Sequence, residues 1–367
     1  MNEAKTILII VPFFTLGGAE TQALNIAVAF KEAGHKVLVL GFEKKNGILM
    51  EKLDALDLEY KLYFFDLSVL SKGGFNKFIK IFKLAKFVRS LKVDYLFPFT
   101  YFPNLLISII WRFTKAKKCF WNQRGLETLS VSRLERLAKL MGPNYIANSN
   151  VCAEFIAKRH SIDVSRVAVI RNGVNKDNIK VDSSWRELAE LTKDKLVFSM
   201  VANFYPEKKH VNMLQAWLKA TGNAENKLLI FIGYSPQDIH LLRAKAMAFD
   251  LGIKNVLFLA SSDDIGNLLK LTDVGVLISE SEGCPNSVLE CMQHGLPVVA
   301  SDIPAILEVF NSENPLLKHF NDIDGLASSI ELCFSEEYRA ELGAKNQTLV
   351  NARYGMNELS SNYLKLV

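Results

Sequence analysis

Between Asp273 and Ala300 the chain passes from an apolar run to a polar loop, a short helix and a second apolar run. Few architectures can use that succession. Val274-Gly-Val-Leu-Ile278 is short and β-branched, the pattern of a buried strand. Gly295 and Pro297 are helix-stop signals after Cys291-Met-Gln-His294, and Val298-Val299-Ala300 reads as the next buried strand. Two buried strands joined through a helix belong to a parallel α/β sheet, and the loop after the first then lies at a strand's carboxyl end, where ligands bind. Gly283 lets the backbone approach closely, while Pro285 and Asn286 open the helix. The amides of Asn286, Ser287 and Val288 would point out of the sheet as an anion site. Glu290 follows Asn286 by one turn, on the same face. A carboxylate there suits the neighbouring hydroxyls of a ribose or sugar better than a phosphate. Ser287-x-x-Glu290 also spells a capping box, which needs no ligand.

The same alternation starts the chain. Lys5–Pro12 is an apolar run, a helix follows and ends near Gly34, and His35–Gly41 is a second run, a β-α-β start. The turn between them carries Gly17-Gly18, which lacks the G-x-G-x-x-G spacing; a tight turn accounts for it without a ligand. Further strand-like runs begin at Asp94, Cys119, Tyr145, Val167, Leu196, Leu228 and Val256. With 367 residues the chain has room for two cores. The polar stretch 175–182 reads as the linker, giving domains at 1–175 and 176–352. Asp322-Ile-Asp324 spells D-x-D, but it precedes a helix and reads as an N-cap. Arg124, at the end of a strand, suits a phosphate or acceptor diphosphate, or else caps a loop. Thr100 opens the loop Thr100–Asn104 after another strand.

Charge narrows the partners. Residues 1–175 carry 26 Lys and Arg against 14 Asp and Glu, a net +12, which leaves −7 on the rest. A basic half suggests an anionic partner. Residues 72–92 interleave Phe75, Phe78, Ile79, Phe82, Ala85 and Phe87 with Lys77, Lys80, Lys83, Lys86 and Arg89. This is a basic amphipathic helix, either an ordinary surface helix with its phenylalanines in the core or one that meets anionic lipid headgroups. No zinc pattern or RNA-binding aromatic motif supports nucleic acid. The five cysteines are scattered with no C-x-x-C pair, which argues against disulfides or zinc. With no apolar run near 18 residues, the expected location is cytoplasmic, peripheral on the inner membrane face.

Glu282-Gly-Cys-Pro-Asn-Ser-Val-Leu-Glu290-Cys-Met-Gln-His-Gly295-Leu-Pro297-Val-Val299 resembles the signature of the retaining, nucleotide-sugar-dependent glycosyltransferases of family 4. Two glutamates eight apart, the glycines, the prolines and the flanking strands all fall in register. The resemblance is strong over about 195–335 and confined to landmarks before that. It implies a GT-B fold, two facing doubly wound Rossmann-like domains with the site in the cleft, and a last helix, about 353–367, that packs back on the first domain. It also implies roles. Glu282 would orient the donor sugar and Glu290 would hold the ribose. Lys208, with Lys209 and His210 beside it, would neutralise the diphosphate, and Gly17 and Gly18 would face it. Gly233 would belong to a glycine loop of the donor site, together with Gly283, Pro285, Asn286, Ser287 and Val288. Two departures stand out: Asn203 occupies the place of a family arginine, and Phe97, Phe99 and Thr100 stand where many members have a histidine.

The reading is therefore a glycosyltransferase moving a sugar from a UDP-sugar to a glycan or lipid-linked acceptor in cell-surface polysaccharide synthesis, with no cofactor or metal. The alternatives are a UDP-sugar 2-epimerase-like enzyme of the same fold and a degenerate nucleotide-binding protein.

Overall fold

The computed structural model describes residues 3–67, 76–126, 131–174, 185–235, 238–262 and 264–367. Two compact units divide the chain, one formed by Met1–Gly173 with Met356–Val367, the other by Val174–Gly355. The expected linker at 175–182 lies outside the described residues.

The first unit runs β1 (Thr6–Phe13), α1 (Gly18–Glu32), β2 (Lys36–Glu43), α2 (Ile48–Ala55), β3 (Glu59–Leu62), α3 (Asn76–Ser90), β4 (Tyr95–Pro98), α4 (Tyr101–Thr114), β5 (Lys118–Gln123), α5 (Arg133–Leu140), β6 (Asn144–Ala147), α6 (Asn150–His160) and β7 (Val167–Val169). The strands form one parallel sheet in the order β3-β2-β1-β4-β5-β6-β7. Strand β1 is apolar from Ile7 onward because both of its faces are covered. Ile7, Ile9 and Val11 pack with Ile26 and Phe30 of α1 and Leu53 of α2. Leu8 and Ile10 face the opposite core, with Leu84 and Val88 of α3, Leu106 and Ile110 of α4 and Ile156 of α6.

The last helix of the chain, α15 (Met356–Leu364), belongs to this unit. Its Tyr363 is fully buried beside Phe30 and Phe97. Gly173 runs directly beneath it: a Cβ there would sit 2.7 Å from Met356 Sδ and 2.8 Å from a Leu359 methyl. The amide of Gln22 closes the same corner, donating to Gly173 O at 2.9 Å and accepting from Gly173 N at 3.0 Å.

The second unit runs α7 (Arg186–Thr192), β8 (Leu196–Val201), α8 (His210–Thr221), β9 (Lys227–Gly233), α9 (Ile239–Asp250), β10 (Val256–Ala260), α10 (Ile265–Lys270), β11 (Val274–Leu277), α11 (Asn286–Gln293), β12 (Val298–Ser301), α12 (Pro304–Phe310), β13 (Leu317–Lys318), α13 (Ile323–Leu332) and α14 (Glu336–Arg353). Its sheet is also parallel, ordered β10-β9-β8-β11-β12-β13. Strand order reverses between β8 and β11, so the crevice outside their carboxyl ends is the place where doubly wound folds take ligands. Asp322 caps α13 by accepting from Gly325 N at 2.9 Å, so the D-x-D is an N-cap as its position suggested.

Two sequence expectations need correction. Thr100–Asn104 is not a loop: α4 begins at Tyr101, and Thr100 is its N-cap residue. Among the described phenylalanines of the basic helix only Phe87 packs against the core, its ring centre 4.6 Å from that of Tyr63. Ile81, Leu84, Ala85 and Val88 of α3 point inward, while Phe78 and Phe82 are 50% and 71% exposed. Phe75 lies outside the described residues.

Candidate active site

The loops that leave β8 and β11 are tied to each other. The amide of Glu280 donates to Glu207 O at 2.9 Å. Lys208 pairs with Glu282, and Lys209 pairs with Glu280 at 2.8 Å. The first pair is mostly shielded, with side-chain exposures of 17% and 12%. Shielding strengthens the attraction, because fewer waters screen it. The two residues expected to act on the donor therefore meet at the switch point of one sheet.

The β11 loop is held from below. Ser279 N donates to Ser301 Oγ at 2.8 Å, joining the ends of β11 and β12. Gly283 and Pro285 are buried, while Asn286, Ser287 and Glu290 are half-buried. Helix α11 is capped by Pro285, whose carbonyl accepts from Val288 N and Leu289 N at 3.1 and 3.2 Å. No side chain caps it. Ser287 is therefore already inside the first turn, and the capping box that Ser287 and Glu290 spell is not formed. Helix α11 lies close on β11 because Gly275 has no side chain; a Cβ there would meet Cys291 Sγ at 2.5 Å.

The β8 loop is held by a different device. A Cβ on Gly233 would stand 2.1 Å from Ala202 O, so glycine is required for the ends of β8 and β9 to close. Asn203 Oδ1 accepts from Tyr234 N at 3.0 Å, and Phe204 N donates to Tyr234 O at 2.9 Å. Asn203 thus spends its side chain on the neighbouring loop. His210 does not supply a cation, contrary to the grouping suggested by Lys208-Lys209-His210. It is buried, stacked on Phe204 with ring centres 4.4 Å apart, and burial holds its pKa down at about 4.

A separate open groove of about 420 Å³ lies between α7 and β10, lined by Trp185, Leu188, Leu191, Leu257 and Leu259. None of the site residues lines it.

The remaining candidates belong to the first unit. Gly17 is the N-cap residue of α1, and a Cβ on it would reach within 2.8 Å of Glu20 Oε2. Glu20 is folded back onto this turn, where burial raises its pKa against backbone hydrogen bonds from Glu20 and Gly17 that lower it. Gly18 begins α1 itself. Arg124 is committed inside its unit: its terminal nitrogens donate to Asn172 Oδ1 at 2.8 Å, to Asn122 Oδ1 at 3.4 Å and to the Tyr363 hydroxyl. Its guanidinium also lies over Phe99, 4.8 Å from the ring centre. Arg124 fastens α15 to β5 rather than presenting an open fork. Thr100 has φ +67° and ψ 169°, a region that L-residues with branched Cβ atoms avoid. Sequence reasoning could not see that strain, since nothing in the residue type signals it.

Residues 16–178 match the family described as Glycosyltransferase Family 4, and residues 182–349 match Glycosyl transferases group 1. The chain belongs to the family 4, group 1 glycosyltransferases. It is 30% identical over 200 residues to UDP-Gal:alpha-D-GlcNAc-diphosphoundecaprenol alpha-1,3-galactosyltransferase of Escherichia coli, covering 52% of this chain and 49% of that one. It is 23% identical over 332 residues to N,N'-diacetylbacillosaminyl-diphospho-undecaprenol alpha-1,3-N-acetylgalactosaminyltransferase of Campylobacter jejuni, covering 84% and 86%. The aligned stretches span just under half the length of the first curated relatives matched. Among solved structures, Anabaena HepE in complex with UDP and glucose superposes with a TM-score of 0.84 at 17% identity, over 99% of both chains. That likeness establishes the fold as GT-B, with two Rossmann-like domains.

Proposed function

We propose that this glycosyltransferase moves a sugar from a UDP-sugar to a hydroxyl of a lipid-linked glycan, with retention of anomeric configuration, in cell-surface polysaccharide synthesis. The carrying observation is the Lys208–Glu282 pair at the switch point, which ties the loop leaving β8 to the loop that opens α11. A nucleoside diphosphate brings negative charge that competes with Glu282 for the lysine. Once displaced, Glu282 is left beside the donor with an acceptor-only carboxylate, suited to sugar hydroxyls. Glu290, one turn along α11, is placed for the ribose.

The chemistry follows from the leaving group. The bond between the anomeric carbon and the diphosphate oxygen breaks, and negative charge grows on the diphosphate. Lys208, Lys209 and the amides of Asn286 and Ser287 stabilise that charge, the Val288 amide being already donated to Pro285 O, and such preorganised groups are usually the largest catalytic contribution. The acceptor oxygen bonds to the anomeric carbon on the face the diphosphate leaves, and a diphosphate oxygen takes its proton. This reading assigns the positive charge to lysine and helix amides, with no metal. Relatives whose names specify diphosphoundecaprenol acceptors support a lipid-linked acceptor.

A thermal-shift series against UDP, GDP and ADP tests the donor reading. UDP at 100 times its dissociation constant is expected to stabilise by about 2.7 kcal/mol. Glu290→Gln should lose most of that shift while its ligand-free melting temperature stays within a degree or two. A variant that melts early yet still responds to UDP would return Glu290 to a structural role. No response to any nucleotide in the wild type would favour the degenerate reading, which Asn203 keeps open.

The acceptor reading places the protein at an anionic membrane surface. Exposed Phe78, Ile79 and Phe82 of α3 stand among Lys80, Lys83 and Lys86, also exposed, which fits rings at the acyl boundary and ammonium groups at the headgroups. Replacing Phe82 by Ser together with Lys80, Lys83 and Lys86 by Gln should abolish co-sedimentation with vesicles containing phosphatidylglycerol. Unchanged sedimentation would make α3 ordinary surface. Among the described residues no helix is long and apolar enough to cross a membrane.

A further inference from the structure

Helix α9 has two apolar faces. Ala244 and Ala248 are buried against the second unit's core, with Leu241 and Met247 packed beside them. The opposite face carries Ile239, Leu242, Ala246 and Phe249, all exposed; Phe249 is 86% exposed and Leu242 60%. Single exposed apolar residues are ordinary, but these four are spaced three, four and three apart. That is the a-d-a-d seam by which one helix packs along another. An unpartnered seam of this kind exposes a contiguous stripe, which monomers avoid.

The charges beside the seam say what covers it. With Ile239 and Ala246 at a, Lys245 is the flanking g position and Arg243 and Asp250 are the e positions, while Asp238 is the N-cap residue of the helix, with φ +54°. In a parallel pair each g side chain meets the e side chain five residues on in the other helix. Lys245 then faces Asp250 of the second copy, in both directions across a two-fold axis. Both contacts join opposite charges. An antiparallel pair instead brings Arg243 towards Arg243 and Lys245 towards Lys245 at its centre. Among the described residues none of these four forms an ion pair within the chain; Lys245 lies 6.0 Å from the Phe258 ring centre, the outer limit of a cation–π contact.

We propose that α9 is the interface of a parallel, two-fold homodimer formed through the second unit. The isologous arrangement is the commonest closed assembly. Twelve residues make a seam about 18 Å long. So short a coil does not form from free peptides, but here both helices are already folded on their sheets. The dimer is accordingly weak. Nothing in this inference depends on the donor or acceptor reading.

Sedimentation equilibrium of the full chain tests it between about 1 and 200 µM. The mass should rise from 41.3 kDa towards twice that value across the range. Phe249→Asp should stay monomeric throughout while melting as the wild type does. Asp250→Lys should weaken association roughly tenfold, and adding Lys245→Asp should restore it, which non-specific stickiness would not do. Leu242→Cys should give an oxidised, covalent dimer absent from the wild type, because d meets d only in the parallel register. A single 41.3 kDa species at 200 µM overturns the proposal, as does a mass unmoved by Phe249→Asp. If the protein is monomeric and Phe249→Asp instead abolishes binding to anionic vesicles, the seam belongs to lipid and the proposal fails.

Discussion

Lys208→Ala should lower turnover at saturating donor by about 10²–10³-fold, the cost of removing one preorganised charge from a developing anion. The Michaelis constant for donor should move much less, because Lys208 starts the cycle already neutralised by Glu282. Its charge counts fully only as the diphosphate leaves. The variant also strands Glu282, whose side chain is 12% exposed, and an unpaired shielded carboxylate is destabilising. Stability and catalysis can be separated. Lys208→Ala with Glu282→Gln should recover the melting temperature lost in the single variant, since no charge is left unpaired. It should not recover turnover. If the two residues act as one unit, the double variant will also fall less than the sum of the singles predicts. Turnover near the wild-type value in Lys208→Ala would remove the lysine from the chemistry.

Much of this site was legible because it is local in sequence. Strand, loop and helix from Val274 to Gln293 follow from apolar runs and stop signals, and both glutamates sit on that one segment. Pairing with Lys208 was within reach too, since Lys208 follows another strand of the same sheet. The misreadings share a cause: residue type does not say which partner a side chain finds. Helix α3 carries two apolar stripes, and the pattern alone does not decide which meets the sheet. Aliphatic Ile81, Leu84 and Val88 won, and the rings of Phe78 and Phe82 were left outside. Arg124 looks like a phosphate fork until Asn172 and Tyr363 arrive from distant parts of the chain. His210 follows two lysines, yet it is the first residue of α8 and turns beneath Phe204. The α9 seam was missed for the opposite reason. Its heptad spacing is plain once the buried face is known, but without burial Ile239 and Leu242 pass for core.

The first unit contains an ionic network that sequence reading passed over, and it should carry the largest single stability effect. Glu135, fully buried, accepts from Arg159 Nε at 2.5 Å and Nη2 at 2.8 Å, and from the Tyr101 hydroxyl at 2.9 Å. His160 Nε2 lies 3.1 Å from the same carboxylate, and its Nδ1 is 2.9 Å from the Tyr145 hydroxyl. The cluster locks α4, α5 and α6 to β6. Glu135→Ala would leave Arg159 and His160 shielded without their anion, which costs about 3–5 kcal/mol. Urea melts at neutral pH read this directly. Burial pushes the Glu135 carboxyl up, but the hydrogen bonds from His160, Arg159 and Tyr101 outweigh it and hold its pKa at about 2. An ordinary glutamate titrates near 4.3, so at intermediate pH the unfolded chain binds the proton and the folded one does not. The stabilisation is therefore complete above about pH 4.3 and is lost as pH falls through about 2. The gap between wild type and Glu135→Ala should accordingly narrow when the melts are repeated at pH 3. A gap unchanged at low pH would mean the loss at Glu135 is one of packing and not of charge. Since every partner in the network lies in the first unit, Glu135→Ala should keep its response to UDP below its melting temperature, whereas Glu290→Gln should not.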